Sequence, residues 1–280
     1  MKLAFTKMHG CGNNYIYFNC FDQTVPDPES LSIKLSEPHF GIGGDGIILI
    51  SPSDKADAQM RIFNADGSEG KMCGNGIRCV GKYLYDNGMT DGRTTITIDT
   101  LSGVKTLELT VKDGKMQSAR VDMGAAILAP REIPVDMDGE NVISAPIVVD
   151  EKVYHMTCVS MGNPHCVVFG KDPDMIDLEK IGPHFEHFEK FPERINTEFI
   201  EVLDNHTLKM RVWERGSGET MACGTGACAS AVAACLNGYC KKGEDITVKL
   251  RGGDLVINYT DDGVQMTGSA DTVFTGVVEI

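Results

Sequence analysis

Two cysteines of this chain occur in the same local sequence, Cys-Gly-x-Gly. Cys73 leads into a segment from about 74 to 87 and Cys223 into one from about 224 to 237; both are rich in small or apolar residues and end in Asn-Gly. This pattern predicts two buried helices. A helix N-terminus has unpaired N–H groups and the positive end of the helix dipole, which favour thiolate over thiol. We therefore expect both sulfurs to be more acidic than a free thiol, whose pKa is about 8.5.

The two motifs belong to an internal duplication with an offset of 150 residues. A repeat of this kind decides the fold and has to be identified first. Several separate matches share the one register without a gap: Gly12-Asn13 with Gly162-Asn163, RIFNADGSE (61–69) with RVWERGSGE (211–219), CGNG (73–76) with CGTG (223–226), Asn87-Gly88 with Asn237-Gly238, and TITIDT (95–100) with DITVKL (245–250).

Each half also shows alternating apolar patterns, which predict strands before and after its helix. We expect an α/β (α+β) fold of two pseudo-symmetric domains, each a curled, mostly antiparallel sheet around one central helix. The N-terminal half covers 1–120 and is completed by a last strand at 271–280, and the C-terminal half covers 121–270. The proline-containing stretch 129–146 is interpreted as the connector region.

A pair of equivalent thiols fits an enzyme that inverts a carbon centre. One group removes the α-proton from one face while the other delivers a proton to the opposite face. The N–H groups of the two helix N-termini, at Gly74, Asn75, Gly224 and Thr225, can bind an α-carboxylate and stabilise the charge that spreads into it. No metal and no pyridoxal cofactor is required by this chemistry.

Composition excludes several other classes of protein. The 280 residues carry a formal net charge of -14 and no basic cluster, which disfavours nucleic acid as a partner. No run of 18 apolar residues predicts a membrane span, and the first residues do not resemble a signal peptide. Ten cysteines without a C-x-x-C pair fit free thiols in a reducing cytoplasm better than a disulfide framework.

Two further patterns are discounted as sites. The letters GIGGDG (41–46) match the dinucleotide fingerprint, but they precede a β-branched run, whereas the fingerprint must follow a strand and open a helix. His184 and His187 have a spacing compatible with metal binding but no evident third ligand, so a surface helix is the preferred interpretation.

Six segments strongly resemble the diaminopimelate epimerase family, and together they extend along nearly the whole chain. The resemblance implies cofactor-independent epimerisation of L,L-diaminopimelate to the meso form by two cysteines, in lysine and peptidoglycan precursor biosynthesis. It also implies the fold of that family and a homodimer. The segments are MHGCGNNY (8–15), GIGGDG (41–46), RIFNADGSE (61–69), MCGNGIRC (72–79), MGNPHCVVF (161–169) and RVWERGSGETMACGTGACASA (211–231).

The resemblance also implies a role for particular residues. Cys73 and Cys223 are the acid/base pair, and His165 and Glu214 tune their proton affinity. A histidine after Asn-Pro can also be a hydrogen-bonded turn residue. Arg215 beside Glu214 offers one charge of each sign for the far end of the substrate. The implied substrate contacts are Asn13, Asn64, Gly74, Asn75, Asn163, Asn196, Glu214, Arg215, Gly224 and Thr225.

One position departs from part of the family. Some members have Gln where this chain has Gly46, so a side-chain contact is missing there and backbone or water contacts would replace it. Other functions stay open at this point: a proline-racemase-like or phenazine-biosynthesis-type isomerase, a thiol redox sensor that forms a reversible Cys73–Cys223 disulfide, or an amino-acid-binding protein without catalysis.

Overall fold

The computed structural model describes all 280 residues and divides into two compact units. Unit 1 comprises Met1–Asp122 with Thr267–Ile280, and unit 2 comprises Met123–Met266. The boundaries derived from the sequence, 120/121 and 270/271, differ from these by a few residues. The first boundary of the structure falls within the strand Lys115–Gly124 and the second within the strand Gly263–Ser269.

Four α-helices and eighteen strands make up the chain, which confirms the predicted mixed class. The helices are α1 (Pro28–Ser36), α2 (Gly74–Asp86), α3 (Leu178–Glu186) and α4 (Gly224–Leu236). The strands are β1 (Lys2–Gly10), β2 (Asn13–Asn19), β3 (Gly46–Ser51), β4 (Ala58–Asn64), β5 (Glu69–Gly70), β6 (Thr95–Thr100), β7 (Gly103–Lys112), β8 (Lys115–Gly124), β9 (Ala145–Val149), β10 (Lys152–Ser160), β11 (Pro164–Phe169), β12 (Asn196–Asp204), β13 (Thr207–Glu214), β14 (Gly218–Glu219), β15 (Asp245–Leu250), β16 (Gly253–Thr260), β17 (Gly263–Ser269) and β18 (Asp271–Glu279).

The register of strand pairing repeats between the units with the offset of 150 residues. In unit 1, β2 and β3 are parallel and Tyr17 lies opposite Ile48. In unit 2, β11 and β12 are parallel and Val167 lies opposite Glu198. The helices α2 and α4 have 13 residues each and begin at equivalent glycines. The duplication read from the sequence is therefore present in the backbone of each unit.

Unit 1 is built from mostly antiparallel pairs, including β1 with β2, β3 with β4 and β6 with β7. The last strand of the chain, β18, pairs antiparallel with the first, β1. The segment 46–51, which follows the GIGGDG letters, is a buried strand, so the expectation that these letters precede a strand is confirmed. One apolar cluster of this unit lies between these strands and α1: Leu3, Phe5, Ile16, Phe18, Val25, Leu31, Leu35, Ile47, Leu49 and Phe63.

Unit 2 contains the stretch 129–146, and its interpretation as a connector is wrong. Ile133, Val135 and Val142 are buried in the apolar cluster that α3 and strands β9 to β12 form. The prolines suggested a linker, but the alternating apolar residues between them supply core contacts. None of the helices in either unit has the length and apolar character that crossing a membrane requires.

The Asn-Gly signals end both long helices as predicted. Asn87 donates its side-chain N–H to the Tyr83 carbonyl at 2.8 Å, and Asn237 does the same to the Ala233 carbonyl at 2.8 Å. Gly88 follows with φ 74°, a conformation that favours glycine because it has no Cβ.

A buried arginine distinguishes α2 from α4. The Arg78 side chain is fully buried and donates to the Gly74 carbonyl at 3.1 Å, to the Ser269 carbonyl at 3.1 Å and to Asn75 Oδ1 at 3.0 Å. Position 228 has cysteine in α4. The guanidinium thus ties the first turn of α2 to the strand segment that returns to unit 1 at the end of the chain.

We expect Arg78→Met to lower the free energy of unfolding of this chain by about 2–5 kcal/mol, because buried carbonyl acceptors lose their donor. Urea denaturation followed by circular dichroism measures the change. Arg93→Met is the control: this side chain is 52% exposed and pairs with Asp57, so its loss should lower stability much less than the loss of Arg78. Equal effects of the two substitutions would contradict the proposed role of Arg78.

Candidate active site

Each of the two helices begins with a cysteine thiol as its N-cap. Cys73 Sγ accepts the N–H of Gly76 at 3.3 Å, and Cys223 Sγ accepts the N–H of Gly226 at 3.3 Å. Both cysteines have extended backbone conformations, as N-cap residues usually do. The sulfurs therefore occupy equivalent positions in their own units, as the duplication predicts.

The glycine at the third helical position is closely packed in both units. A Cβ on Gly76 would lie 2.7 Å from Cδ1 of Ile48 and 3.5 Å from Cys73 Sγ. A Cβ on Gly226 would lie 2.6 Å from Glu198 Oε1 and 3.2 Å from Cys223 Sγ. In each unit the thiol and a side chain of the underlying strand share the space above the same glycine.

Amide and carboxylate groups surround the thiol of unit 1. Cys73 Sγ donates to Asn13 Oδ1 at 3.3 Å. Asp45 Oδ2 accepts the other end of the Asn13 amide at 2.9 Å and the backbone N–H of Asn14 at 2.7 Å. Asp45 therefore fixes which end of the Asn13 amide faces the sulfur, a contact that sequence reasoning missed.

The other predicted residues of unit 1 lie on the same elements. Gly74 and Asn75 form the first turn of α2, and Asn75 is buried with its Oδ1 bonded to Arg78. Asn64 ends β4 and donates to Ser68 Oγ at 3.1 Å. The substrate contacts assigned to these residues stay predictions.

Ionisable groups surround the thiol of unit 2. His165 and Glu198 are fully buried and form a hydrogen bond between Nδ1 and Oε1 at 2.7 Å. His165 Nε2 lies 3.1 Å from Asn163 Oδ1. Glu214 accepts a short hydrogen bond from the hydroxyl of Thr220. Two carboxyl groups, an imidazole and a thiol thus share one buried cluster.

The cluster alters the proton affinity of the thiol. Burial raises the pKa of Cys223 well above its ordinary value, and the neighbouring Glu214 and Glu198 raise this pKa further, against the hydrogen bonds from Thr225 and the Gly226 N–H. The prediction of an acidic sulfur is therefore wrong for Cys223. Desolvation and two carboxylates outweigh the helix N-terminus, which was the only influence that the local sequence made visible. For Cys73 the prediction stays untested.

Glu214 also binds its proton more tightly than usual. Desolvation raises the pKa of Glu214, although the Thr220 hydroxyl and the His165 ring lower this pKa. In the same hairpin Arg211 holds the pKa of Glu219 below its ordinary value through a bidentate ion pair.

Asn196, Arg215 and Thr225 complete the predicted set in unit 2. Asn196 is buried and holds the turn after β13: its Nδ2 donates to the Pro164 carbonyl at 2.7 Å and its Oδ1 accepts the Arg215 N–H at 2.9 Å. Arg215 Nη1 donates to the Glu193 carbonyl at 2.9 Å. Thr225 Oγ1 lies 3.5 Å from Cys223 Sγ, and Gly224 is the first residue of α4.

Gly46 has no room for a side chain. Its φ is 149° and a Cβ would lie 2.1 Å from the Phe63 carbonyl oxygen. The start of β3 therefore accepts only glycine at this position, and any residue with a side chain would require a different backbone conformation there.

Three side chains of unit 2 have the donor types of a metal site. His165, Glu198 and Cys223 place one potential ligand atom each within 4.8 Å of one another. These atoms already have partners in the unit: the imidazole binds Glu198 and Asn163, and the thiol caps α4. We interpret the group as an acid–base cluster. His184 and His187, whose spacing is compatible with metal binding, contact different groups. His184 Nδ1 lies 2.6 Å from Asp150 Oδ2, and His187 Nδ1 lies 3.0 Å from the Pro183 carbonyl of its own helix.

Solved structures share this architecture. A hydroxyproline epimerase from Agrobacterium vitis aligns with a TM-score of 0.72 at 15% identity, covering 99% of this chain and 92% of that one. A PhzF-family phenazine biosynthesis protein from Bacillus anthracis aligns with a TM-score of 0.74 at 17% identity, covering 100% of both chains. The chain therefore has the duplicated α/β fold that these epimerases and PhzF-family proteins share.

Sequence comparison identifies the family within that fold. The family model described as diaminopimelate epimerase matches residues 5–129 and 157–273. The diaminopimelate epimerase of Acetivibrio thermocellus is 56% identical over 99% of both chains, and that of Methanococcus maripaludis is 54% identical over 99% of this chain and 100% of its own. The chain belongs to the diaminopimelate epimerase family, a family of isomerases.

The opposite pKa shifts of Glu214 and Glu219 predict opposite effects on stability. A glutamate whose folded pKa is raised stabilises the fold at low pH, and this contribution is lost as the pH rises from about 4 through the folded pKa. In Glu214→Gln we therefore expect the free energy of unfolding, relative to the parent, to increase over that range. Glu219→Gln should show the reverse, because a lowered pKa contributes stability above about pH 4. Urea denaturation between pH 3.5 and pH 8 tests both, and the same sign in the two variants would contradict the assignment.

Proposed function

We propose that this chain interconverts L,L-diaminopimelate and meso-diaminopimelate with Cys73 and Cys223 as its two proton-transfer groups. The observation that carries the proposal is the equivalent placement of the two thiols, each capping a helix through the N–H of the third helical residue. Membership of the family and two relatives above 50% identity that have this name support the choice of reaction.

The reaction exchanges one proton for another at a single carbon. One sulfur, as thiolate, accepts the α-proton, and the electron pair left on the α-carbon is delocalised into the adjacent carboxylate. The other sulfur, as thiol, donates its proton to the opposite face. The C–H bond broken is replaced by a C–H bond formed, and the two sulfurs exchange protonation states. No pyridoxal, metal or redox cofactor has a step in this sequence.

The raised pKa of Cys223 suggests the resting state. With burial and two carboxylates opposing its ionisation, Cys223 is the thiol and acts as acid toward one stereoisomer. Cys73, whose thiol donates to Asn13 Oδ1 in its protonated form, has to give up that proton to act as the base in that direction. In the reverse direction the roles exchange.

Charge that develops on the α-carboxylate needs donors that are already in place. The N–H groups of Gly74 and Asn75 in one unit, and of Gly224 and Thr225 in the other, are at helix N-termini where anions bind favourably. Arg215 and Glu214 would recognise the carboxylate and ammonium of the remote amino-acid end, with Asn13, Asn64, Asn163 and Asn196 as further polar contacts or supports.

The cellular setting is part of the same proposal. We propose a cytoplasmic enzyme that supplies meso-diaminopimelate for lysine and peptidoglycan precursors, acts as a homodimer, and needs neither nucleic acid nor a membrane. The net charge of -14 supports the absence of a nucleic-acid partner.

The proposed two-thiol mechanism can be tested at the thiols themselves. Cys73→Ala and Cys223→Ala should each lower the rate of epimerisation by at least about 10³-fold, because proton transfer fails on one face. Incubation with L,L-diaminopimelate in deuterated water, followed by separation of stereoisomers, measures both inversion and α-deuterium. Cys235→Ala is the matched control in the same unit as Cys223. Normal turnover in either test variant would overturn the two-thiol mechanism.

The proposed recognition of the remote end of the substrate can be tested at Arg215. Arg215→Ala should lower kcat/KM for diaminopimelate by about 10- to 100-fold, since a charge-assisted contact contributes about 1.5–3 kcal/mol. A fall in kcat accompanies the rise in KM, because the remote contact also orients the α-carbon. Arg131→Ala, an exposed arginine of unit 2, should have no effect. If the parent protein racemises alanine as well as it does diaminopimelate, the proposed substrate is wrong.

A further inference from the structure

Glu198 is a buried carboxylate that neither the family motifs nor the proposed chemistry explains. Its side chain is fully buried. Oε1 binds His165 Nδ1, and Oε2 has no hydrogen-bond partner. Burying such a group is costly unless it is paired and fully hydrogen-bonded. The reason for a buried carboxyl group at position 198 should therefore lie in the candidate active site rather than in the packing of the core.

Unit 1 provides an internal comparison for this position. Ile48 is the residue equivalent to Glu198: it has the same place in the strand pairing, opposite Ile62 as Glu198 is opposite Val212. Both side chains reach the third helical glycine beside the capping thiol, at 2.7 Å and 2.6 Å from the Cβ position of that glycine. The fold thus accepts an apolar residue here.

The neighbours of Glu198 connect it to residues of the proposed reaction. Glu198 Oε1 lies 2.7 Å from Nδ1 of His165 and Asn163 Oδ1 lies 3.1 Å from Nε2 of the same ring, so the two contacts together hold the imidazole in one orientation. In unit 1 the orientation of the equivalent amide, Asn13, is fixed by Asp45 instead. The two units therefore fix equivalent asparagines by different groups.

We propose that Glu198 is a positioning residue that orients His165, and through it Asn163, and whose negative charge keeps the Cys223 sulfur in its thiol form. The titratable groups that face this cluster are Glu214 on β13 and Cys223 before α4, with Cys166 and Cys158 on the strands behind. The helix α4 has no charged side chain. A carboxyl oxygen of Glu198 lies within 4.8 Å of the Cys223 sulfur. Burial raises the pKa of Cys223, and Glu214 and Glu198 raise this pKa further, which agrees with this role.

Two substitutions separate charge from orientation. Glu198→Gln removes the charge but keeps an oxygen that can accept from His165. Glu198→Ile installs the residue that unit 1 has at the equivalent position, so its size is compatible with the fold. Glu201→Gln removes a carboxylate from the same strand, where the side chain is only partly buried, and is the matched control.

The first measurement is the pH dependence of alkylation of Cys223 by iodoacetamide, resolved by peptide mapping, and it needs no substrate. We expect the midpoint to move to lower pH by about one unit in Glu198→Gln and Glu198→Ile, and to stay within about 0.2 unit in Glu201→Gln. A merely structural role would not shift this midpoint, and urea denaturation establishes that each variant is folded. A midpoint unchanged in both Glu198 variants would overturn the proposal.

The second measurement is kinetic and rests on the proposed function. In Glu198→Ile we expect kcat/KM for L,L-diaminopimelate to fall at least about tenfold, together with a change in the ¹⁵N shifts of His165. Glu198→Gln should keep more of the activity. Activity within twofold of the parent in Glu198→Ile, with His165 unchanged, would overturn the positioning role. An inactive parent protein would instead refute the proposed function. The alkylation experiment, which needs no substrate, would then still test the effect of Glu198 on Cys223.

Discussion

The hydrogen bond from a helical N–H to a cysteine sulfur is the constraint on which both halves of this structure depend. A sulfur acceptor at 3.3 Å holds the side chain over the first turn, next to a glycine at the third helical position whose Cβ would lie only 3.2–3.5 Å from that sulfur. That glycine in turn lets one strand residue reach the thiol, Ile48 in unit 1 and Glu198 in unit 2. The buried helices and the sheet registers around them keep these three groups in place.

The same backbone arrangement places the two thiols in different chemical environments. In unit 1 the thiol meets an amide that Asp45 orients. In unit 2 an imidazole and two carboxyl groups lie around the thiol, and ionisation of Cys223 is opposed first by burial and then by Glu214 and Glu198. Buried groups of this kind reduce stability, and the helix that begins beside them, α4, consists mainly of small, buried residues. The duplication has conserved geometry while the chemistry of the two halves has diverged.

The sequence predicted the parts of the site that depend on local pattern. The offset of 150 residues, the helices that begin after Cys73 and Cys223, and their Asn-Gly ends were all visible in the residues. The buried Arg78 and the proton affinity of Cys223 were not, because both depend on contacts between segments far apart in the chain. Glu198 could have been found: it stands where the offset places Ile48, and a charged residue in place of an apolar one within a strand indicates a special role.

On the proposed mechanism, the asymmetry of the two units has a kinetic consequence. An inversion by two thiols converts one protonation form of the free protein into the other, and the form left after one turnover is the one that accepts the opposite stereoisomer. If the two environments were identical, both forms would be equally populated. Groups that oppose ionisation of Cys223 favour the form in which Cys223 carries the proton. An enzyme cannot change the equilibrium between its stereoisomers, so this bias instead decides which stereoisomer the free protein is ready to accept. The two protonation forms have to interconvert after every turnover in either direction, toward the favoured form in one direction and away from it in the other.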